Sequence, residues 1–174
     1  MKSIAIIPAR MGSSRFPGKP MKKIHGVPMI GHCYFRTSMC NELLDTYVAT
    51  CDQEIFDYIE SINGKVVMTS ETHERATDRT AEAMLKIEKI IGEKIDLVVM
   101  VQGDEPMVTP KMISESLQPL FEDSTVNVVN LMANMDSCAE FEDPNEVKVV
   151  VDNFSNAIYF SREPIPSRKK DFER

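Results

Sequence analysis

Short apolar runs alternate with stretches of helical spacing along this chain. Ser3 to Pro8 reads as a buried strand that Pro8 stops, and a polar loop from Ala9 to Pro20 follows. Pro28 to Cys40 reads as a helix with Ile30, Tyr34 and Phe35 on one face, and Thr46 to Thr50 as a second strand. Thr50 and Gln53 have capping-box spacing, which opens a helix over Asp52 to Ile62 with Ile55, Ile59 and Ile62 aligned, and Asn63-Gly64 ends it. Lys65 to Thr69 reads as a third strand. Ala76 to Ile91 has helical spacing at Ala81, Met84, Leu85, Ile87 and Ile91. Asp96 to Val101 is the most apolar strand, the kind expected at the centre of a sheet covered on both faces. Thr109 fits an N-cap with Pro110 at the first helical position, for a helix to about Phe121. Val126 to Leu131, Val147 to Val151 and Ala157 to Phe160 read as further strands. Strands alternating with helices predict a doubly wound α/β fold, with a mostly parallel, mixed central sheet, helices on both faces, and ligands at the carboxyl ends of the strands.

Composition narrows the class. The 174 residues suit one domain over 1–174, and 43% hydrophobic with 27% charged residues excludes disorder and collagen-like or coiled-coil repetition. The longest aliphatic run, Leu97 to Val101, is far short of the roughly 20 apolar residues that span a bilayer. Pro8 and Arg10 interrupt the amino-terminal apolar run, leaving no signal-peptide core, so the expected location is the cytoplasm. Cysteines at 33, 40, 51 and 138 and histidines at 25, 32 and 73 have no zinc-site spacing, so reduced thiols are expected. The net charge of −7 hides an asymmetry: residues 1–41 hold seven of the 20 Lys and Arg and none of the 27 acids. An acidic body argues against nucleic acid as a partner, while the basic amino-terminal stretch suits a small polyanion such as a phosphate group.

Four segments carry candidate chemistry. In Pro8 to Pro20, backbone N–H groups and two hydroxyls, Ser13 and Ser14, share a Gly-containing turn with Arg10, Arg15 and Lys19, which is what a triphosphate requires. It is not a P-loop: Gly12 to Gly18 is one residue too long, and Pro20 stands where a magnesium-binding hydroxyl belongs. A solvated loop with idle arginines is the alternative. In Gln102-Gly103-Asp104-Glu105-Pro106, Asp104 at a strand mouth suits Mg2+ against nucleotide phosphates, with Glu105 pointing the other way; an ordinary strand-to-helix turn is the alternative. His73 to Arg79 opens a helix that would read a base edge or an acidic substrate, with Arg79 as a bidentate grip on a carboxylate. The plainer version has Thr77 and Asp78 as caps and Arg79 in a surface ion pair. Tyr159 to Pro166 is extended by two prolines and suits a substrate loop or a subunit contact.

Taken in order, IIPAR..SSRFPGKP, GVPMIGH, HERATDRTAEA, VQGDEPMV, DPNEVKVVVD and YFSREPIP resemble the signatures of the 3-deoxy-manno-octulosonate (Kdo) cytidylyltransferase family, the CMP-Kdo synthetases, over nearly the whole chain. The resemblance implies a Rossmann-like nucleotide-sugar transferase fold. It implies Mg2+-dependent transfer of a cytidylyl group from CTP to the anomeric hydroxyl of an acidic sugar, with pyrophosphate released, in lipopolysaccharide biosynthesis by a cytoplasmic homodimer. By matched position, Arg10, Ser13, Arg15 and Lys19 would bind the triphosphate, with Gly12 and Ser14 in the same loop. Arg15, Lys19 and Asp104 would form the catalytic group, Asp104 as the metal ligand. Ala9 and the segment Arg75, Ala76, Thr77 and Asp78 would contact cytidine, Gln102 would serve nucleotide and sugar, and Arg79 and Arg162 would address the sugar acid. Arg75-Ala76 stands where the family usually has Ser-Gly, which leaves open a related acid sugar such as a sialic-acid-like nonulosonate. The family's chain continues past the position of Arg174 through a segment with a second metal-binding aspartate. The chain is therefore read as carboxyl-terminally short, with a nucleotide-binding remnant without turnover as the other reading.

Overall fold

β1 (Ser3–Ala9) is buried along its whole length, because its alternate side chains enter cores on opposite faces of one sheet. We describe it from a computed structural model, which describes residues 1–12 and 16–166. A 3-10 turn (Lys19–Met21) and the two-residue strands β2 (Lys23–Ile24) and β3 (Val27–Pro28) lead into α1 (Met29–Ser38). Then follow β4 (Asp45–Thr50), α2 (Gln53–Ser61), β5 (Lys65–Met68), α3 (Ala76–Ile91), β6 (Leu97–Met100) and α4 (Pro110–Glu122). α5 (Cys138–Glu142), β7 (Lys148–Val151) and β8 (Ala157–Ser161) complete the series. Among the described residues, no helix is long and apolar enough to cross a membrane.

The central sheet runs in the order β5-β4-β1-β6, and all three ladders are parallel. Ile4 and Ile6 join Tyr47, Ala49, Val67 and the α3 residues Ala83 and Ile87 on one face. Ile7, Ala9 and Val48 meet Ile30 and Cys33 of α1, Ile55 and Ile59 of α2, and Ile113 and Leu117 of α4 on the other. The period-2 alternation of β1 and β4 thus builds a three-layer α/β fold with helices on both faces. The chain places β4 and β5 on one side of β1 and then crosses to set β6 on the other. That reversal makes the β1/β6 carboxyl end a topological switch point, where open α/β sheets bind ligands.

The chain forms two compact units, Met1–Val129 and Asn130–Arg174. In the second, β7 and β8 pair antiparallel, Lys148 opposite Ser161, with an irregularity at Val150/Val151.

Several expectations need correction. β6, read from its apolar sequence as central, lies at an edge of the four-stranded sheet and is only partly buried; β1 and β4 are the inner strands. Val126 to Leu131, read as a strand, forms no strand and joins no sheet ladder among the described residues, and Val128 and Leu131 are exposed. The Thr50/Gln53 capping box is absent. Asp52 is the N-cap of α2, Thr50 Oγ1 accepts from Asp52 N at 3.1 Å, and the Asp52 carboxylate is engaged elsewhere. On α1 the buried face is Met29, Ile30, Cys33 and Thr37, with Phe35 exposed. On α3 it is Arg79, Thr80, Ala83, Ile87 and Glu88, while Ala81 and Leu85 face outward. The Thr109 cap forms as read, its side chain accepting from Met112 N at 3.3 Å. The cysteines are all free.

Candidate active site

β1, the loop after it, the turn after β6 and the start of α3 converge at the carboxyl end of the sheet. They surround a cavity of about 680 Å³ within the first unit. Its first wall is the loop after β1, pinched shut at its base. Met11 N donates to Asp52 Oδ2 at 2.8 Å, and Gly18 N donates to Met11 O at 3.1 Å. Gly18 turns the chain at φ 71, in the left-handed region that favours glycine. Ala9, Arg10, Gly12 and Lys19 line the cavity from this loop. Ser13, Ser14 and Arg15 lie outside the described residues.

The second wall is the turn Gln102 to Glu105, closed by Glu105 N donating to Gln102 O at 3.1 Å. A Cβ on Gly103 would sit 2.7 Å from Pro8 O, so only glycine lets this turn lie against the end of β1. Gln102 and Asp104 face the cavity from it, whereas Glu105 is not among its described lining residues. Arg36 Nε steadies the far end of the segment by donating to Val108 O at 2.7 Å. Lys19 Nζ lies 2.8 Å from Asp104 Oδ2, so two of the expected catalytic residues, 85 positions apart, are ion-paired across the cavity mouth. Beneath this turn Cys33 is fully buried, and burial pushes its thiol up to about 11, so it stays protonated and inert.

The third wall is the entry to α3, with His73, Glu74, Arg75, Ala76 and Arg79 on the cavity. Arg75 is the N-cap, without a side-chain capping bond, and Thr77 and Asp78 are exposed, so neither the expected Thr77/Asp78 capping nor their contact with the cavity is seen. Nor is Arg79 in a surface ion pair. It is 3% exposed, one guanidinium nitrogen donates to Thr69 Oγ1, and Nη2 has no hydrogen-bond partner. Spacing alone hides this, because Thr69 reaches Arg79 from the end of β5 through the tertiary fold.

Arg162 lies in the second unit, where its guanidinium donates to Pro144 O at 2.8 Å and Asn145 O at 3.4 Å. Sequence reasoning missed His73 as a wall residue, although it heads the motif HERATDR. It also missed Glu82, whose carboxylate contacts His73 Nε2 and accepts from Ser70 N at 3.0 Å and, through Oε1, from Lys86 Nζ at 2.7 Å. Lys86 foremost, then the Ser70 N–H and His73, hold the Glu82 carboxyl down to about 2.

Arg10, Lys19, Arg75 and Arg79 thus face two carboxylates, Glu74 and Asp104, across the described lining of the cavity, in a chain of net charge −7. A cationic cavity at the switch point of a parallel sheet suits an anionic nucleotide. The family model for cytidylyltransferases matches residues 4–174. The chain belongs to the cytidylyltransferase family. It is 43% identical over 167 residues to the 3-deoxy-manno-octulosonate cytidylyltransferase of Geobacter metallireducens, covering 96% of this chain and 63% of that one. It is 46% identical to the 8-amino-3,8-dideoxy-manno-octulosonate cytidylyltransferase of Shewanella pealeana, covering 95% of this chain and 67% of the relative. A solved CMP:2-keto-3-deoxy-manno-octonic acid synthetase complexed with CTP superposes with a TM-score of 0.85 at 38% identity, over 97% of this chain and 67% of that one. The chain therefore spans a little under two thirds of the Geobacter relative's length.

Proposed function

We propose that this chain transfers the cytidylyl group of CTP to the anomeric hydroxyl of Kdo or a closely related acidic sugar. The hydroxyl oxygen attacks the α-phosphorus, the bond from that phosphorus to the α,β-bridging oxygen breaks, pyrophosphate leaves, and the hydroxyl proton goes to solvent. Such a reaction needs positioning and charge neutralisation more than a protein nucleophile. Arg10 and Lys19 supply fixed positive charge beside the triphosphate, and Ser13, Ser14 and Arg15 belong to the same loop. Ala9, Gly12, Gln102 and the Arg75-Ala76 entry to α3 frame the nucleotide.

The observation that carries this reading is Arg79. A buried guanidinium with an unpartnered nitrogen on a cavity wall is costly to hold unless an anion completes it. A sugar carboxylate completes it in bidentate fashion. An acidic sugar is thereby favoured over a neutral one. Asp104 fits a magnesium ion as a hard oxygen donor, half open to solvent beside the expected phosphates. No cluster of three or more metal-ligating side chains occurs among the described residues, so phosphate oxygens and water would complete the shell. Bound there, the ion would neutralise charge on the phosphoryl oxygens. Homodimeric assembly and a cytoplasmic setting belong to the same reading, and sedimentation of the purified chain checks the former.

The test is pyrophosphate release from CTP and Mg2+ with a panel of Kdo, its 8-amino analogue, a nonulosonic acid and a neutral ketose. Release with an octulosonate but not with the neutral sugar supports the reading. A folded chain that binds CTP without release with any acid sugar is a nucleotide binder instead.

A further inference from the structure

His73 and Glu82 form a device that the transfer reaction above does not use. His73 lines the cavity, and Glu82 lies behind it on α3, outside the described lining. Ser70 N and His73 Nε2 share Glu82 Oε2, and Lys86 Nζ takes Oε1 while also donating to Met68 O at 2.8 Å. Through these bonds Glu82 ties the loop between β5 and α3 to the helix. With its carboxyl held at about 2, Glu82 is ionised at neutral pH and can only accept. The imidazole nitrogen against it must therefore carry the proton. In a neutral ring that leaves Nδ1 with a bare lone pair, since the partner of one nitrogen fixes the role of the other. No described residue takes that lone pair. The rest of the described lining is rich in donors, with Arg10 and Lys19 on the first wall and Arg75 and Arg79 beside His73 on the third, which serve phosphate and carboxylate oxygens, while its carboxylates, Glu74 and Asp104, carry full charge. A neutral N–H or O–H on a substrate needs an acceptor instead.

We propose that His73 is a specificity-determining residue whose Nδ1 accepts a hydrogen bond from a neutral donor on the bound substrates, with Glu82 as the positioning residue that fixes its tautomer. The donor is the exocyclic amine that distinguishes cytosine from uracil or a hydroxyl of the acidic sugar. The proposal rests on the cytidylyltransferase reading of the cavity, and its test separates the two.

The first readout needs no turnover. The full chain is labelled with 15N-histidine and the imidazole nitrogens are followed by long-range 1H–15N correlation at mildly alkaline pH, where ordinary imidazoles are neutral. His73 is expected as the Nε2–H tautomer, and its Nδ1 signal should move on adding CTP or Kdo. Glu82→Gln, whose amide also donates, should lose the fixed tautomer. An Nδ1–H tautomer in the wild type, or an Nδ1 signal indifferent to both ligands although CTP binds, overturns the proposal. Failure of CTP to bind a folded chain overturns the cytidylyltransferase reading instead and leaves the tautomer result standing.

The second readout is kinetic, with His73→Phe and His73→Asn compared. If the base supplies the donor, His73→Phe lowers the CTP-to-UTP ratio of kcat/KM by about tenfold, the worth of one neutral hydrogen bond. If the sugar supplies it, the KM for Kdo rises by a similar factor and the base preference holds. In both cases His73→Asn, which keeps an acceptor, recovers part of the loss. Unchanged base preference and unchanged KM values in His73→Phe refute the assignment.

Discussion

Replacing Arg79 by Met tests whether the fold keeps a buried cation for substrate or for its own stability. Met keeps the unbranched stem that fills the space beside Thr80 and Ala83 on the buried face of α3 and deletes the guanidinium. In the ligand-free chain the substitution loses one charge-assisted bond to Thr69, worth about 1.5–3 kcal/mol. It also removes a buried donor with no partner, a defect of about 1–3 kcal/mol, together with the desolvation of the charge. These terms cancel to within roughly 1–2 kcal/mol, and the residual loss is the stranded hydroxyl of Thr69, itself buried. Adding Thr69→Val removes that hydroxyl at nearly constant shape. The double variant should then be as stable as the wild type or more so in urea unfolding without ligand. Its kcat/KM for the acidic sugar should fall at least about 30-fold, the loss expected for one side of a buried charge pair. A double variant more than about 2 kcal/mol less stable than the wild type, or one with unchanged sugar kinetics, would refute the reasoning.

Other outcomes follow from the same geometry. Gly103→Ala forces a Cβ within 2.7 Å of Pro8 O; the shifted turn should cost about 1–3 kcal/mol of stability and carry Gln102 and Asp104 out of place, lowering kcat while the fold persists by circular dichroism. Lys19→Met breaks an exposed pair and should change stability by no more than about 1 kcal/mol, yet lower kcat about 100-fold if Lys19 faces the triphosphate; a parallel fall in stability and rate would contradict that. Asp104→Asn should weaken the apparent affinity for Mg2+ in pyrophosphate release, read as a raised half-saturating Mg2+ concentration. The folded-state pKa of Glu82 lies below its ordinary 4.5, so its stabilising contribution is full above pH 4.5 and is lost as the pH falls from 4.5 through about 2. Glu82→Gln should remove that part of the acid transition, read as a smaller loss of stability between those pH values than in the wild type.

What the sequence made legible is what local pattern encodes. The apolar run of β1, the span of α3 and the Thr109-Pro110 start of α4 depend on neighbours within a few residues, and each forms where the pattern puts it, except that β1 is not stopped by Pro8 and stays paired with β4 through Ala9. The capping box at Thr50 failed because Asp52 serves the loop after β1, 41 positions away, which no local rule sees. β6 is apolar enough for a sheet centre yet lies at an edge, since strand order is set by crossovers and not by hydropathy. At the cavity, the loop after β1 and Asp104 were singled out from residue chemistry, and the Lys19–Asp104 pair needed the fold to close. For Arg79 the sequence left two readings open, a grip on a carboxylate and a surface ion pair, and its helical spacing marked Ala81 and Leu85 among the apolar positions of α3. Packing chose the 79-80-83-87 stripe, and that choice buries the guanidinium on the cavity wall.

The central claim is tested most directly by identifying the products formed from CTP and Kdo by this chain. Mass spectrometry with CTP labelled at the α-phosphate should find the label in a CMP-sugar adduct, in equal amount to the pyrophosphate released, with both products formed at least about 30-fold more slowly by Arg79→Met at low sugar concentration. Label recovered only in free CMP or CDP, or left in CTP bound to a folded chain, would contradict cytidylyl transfer to an acidic sugar.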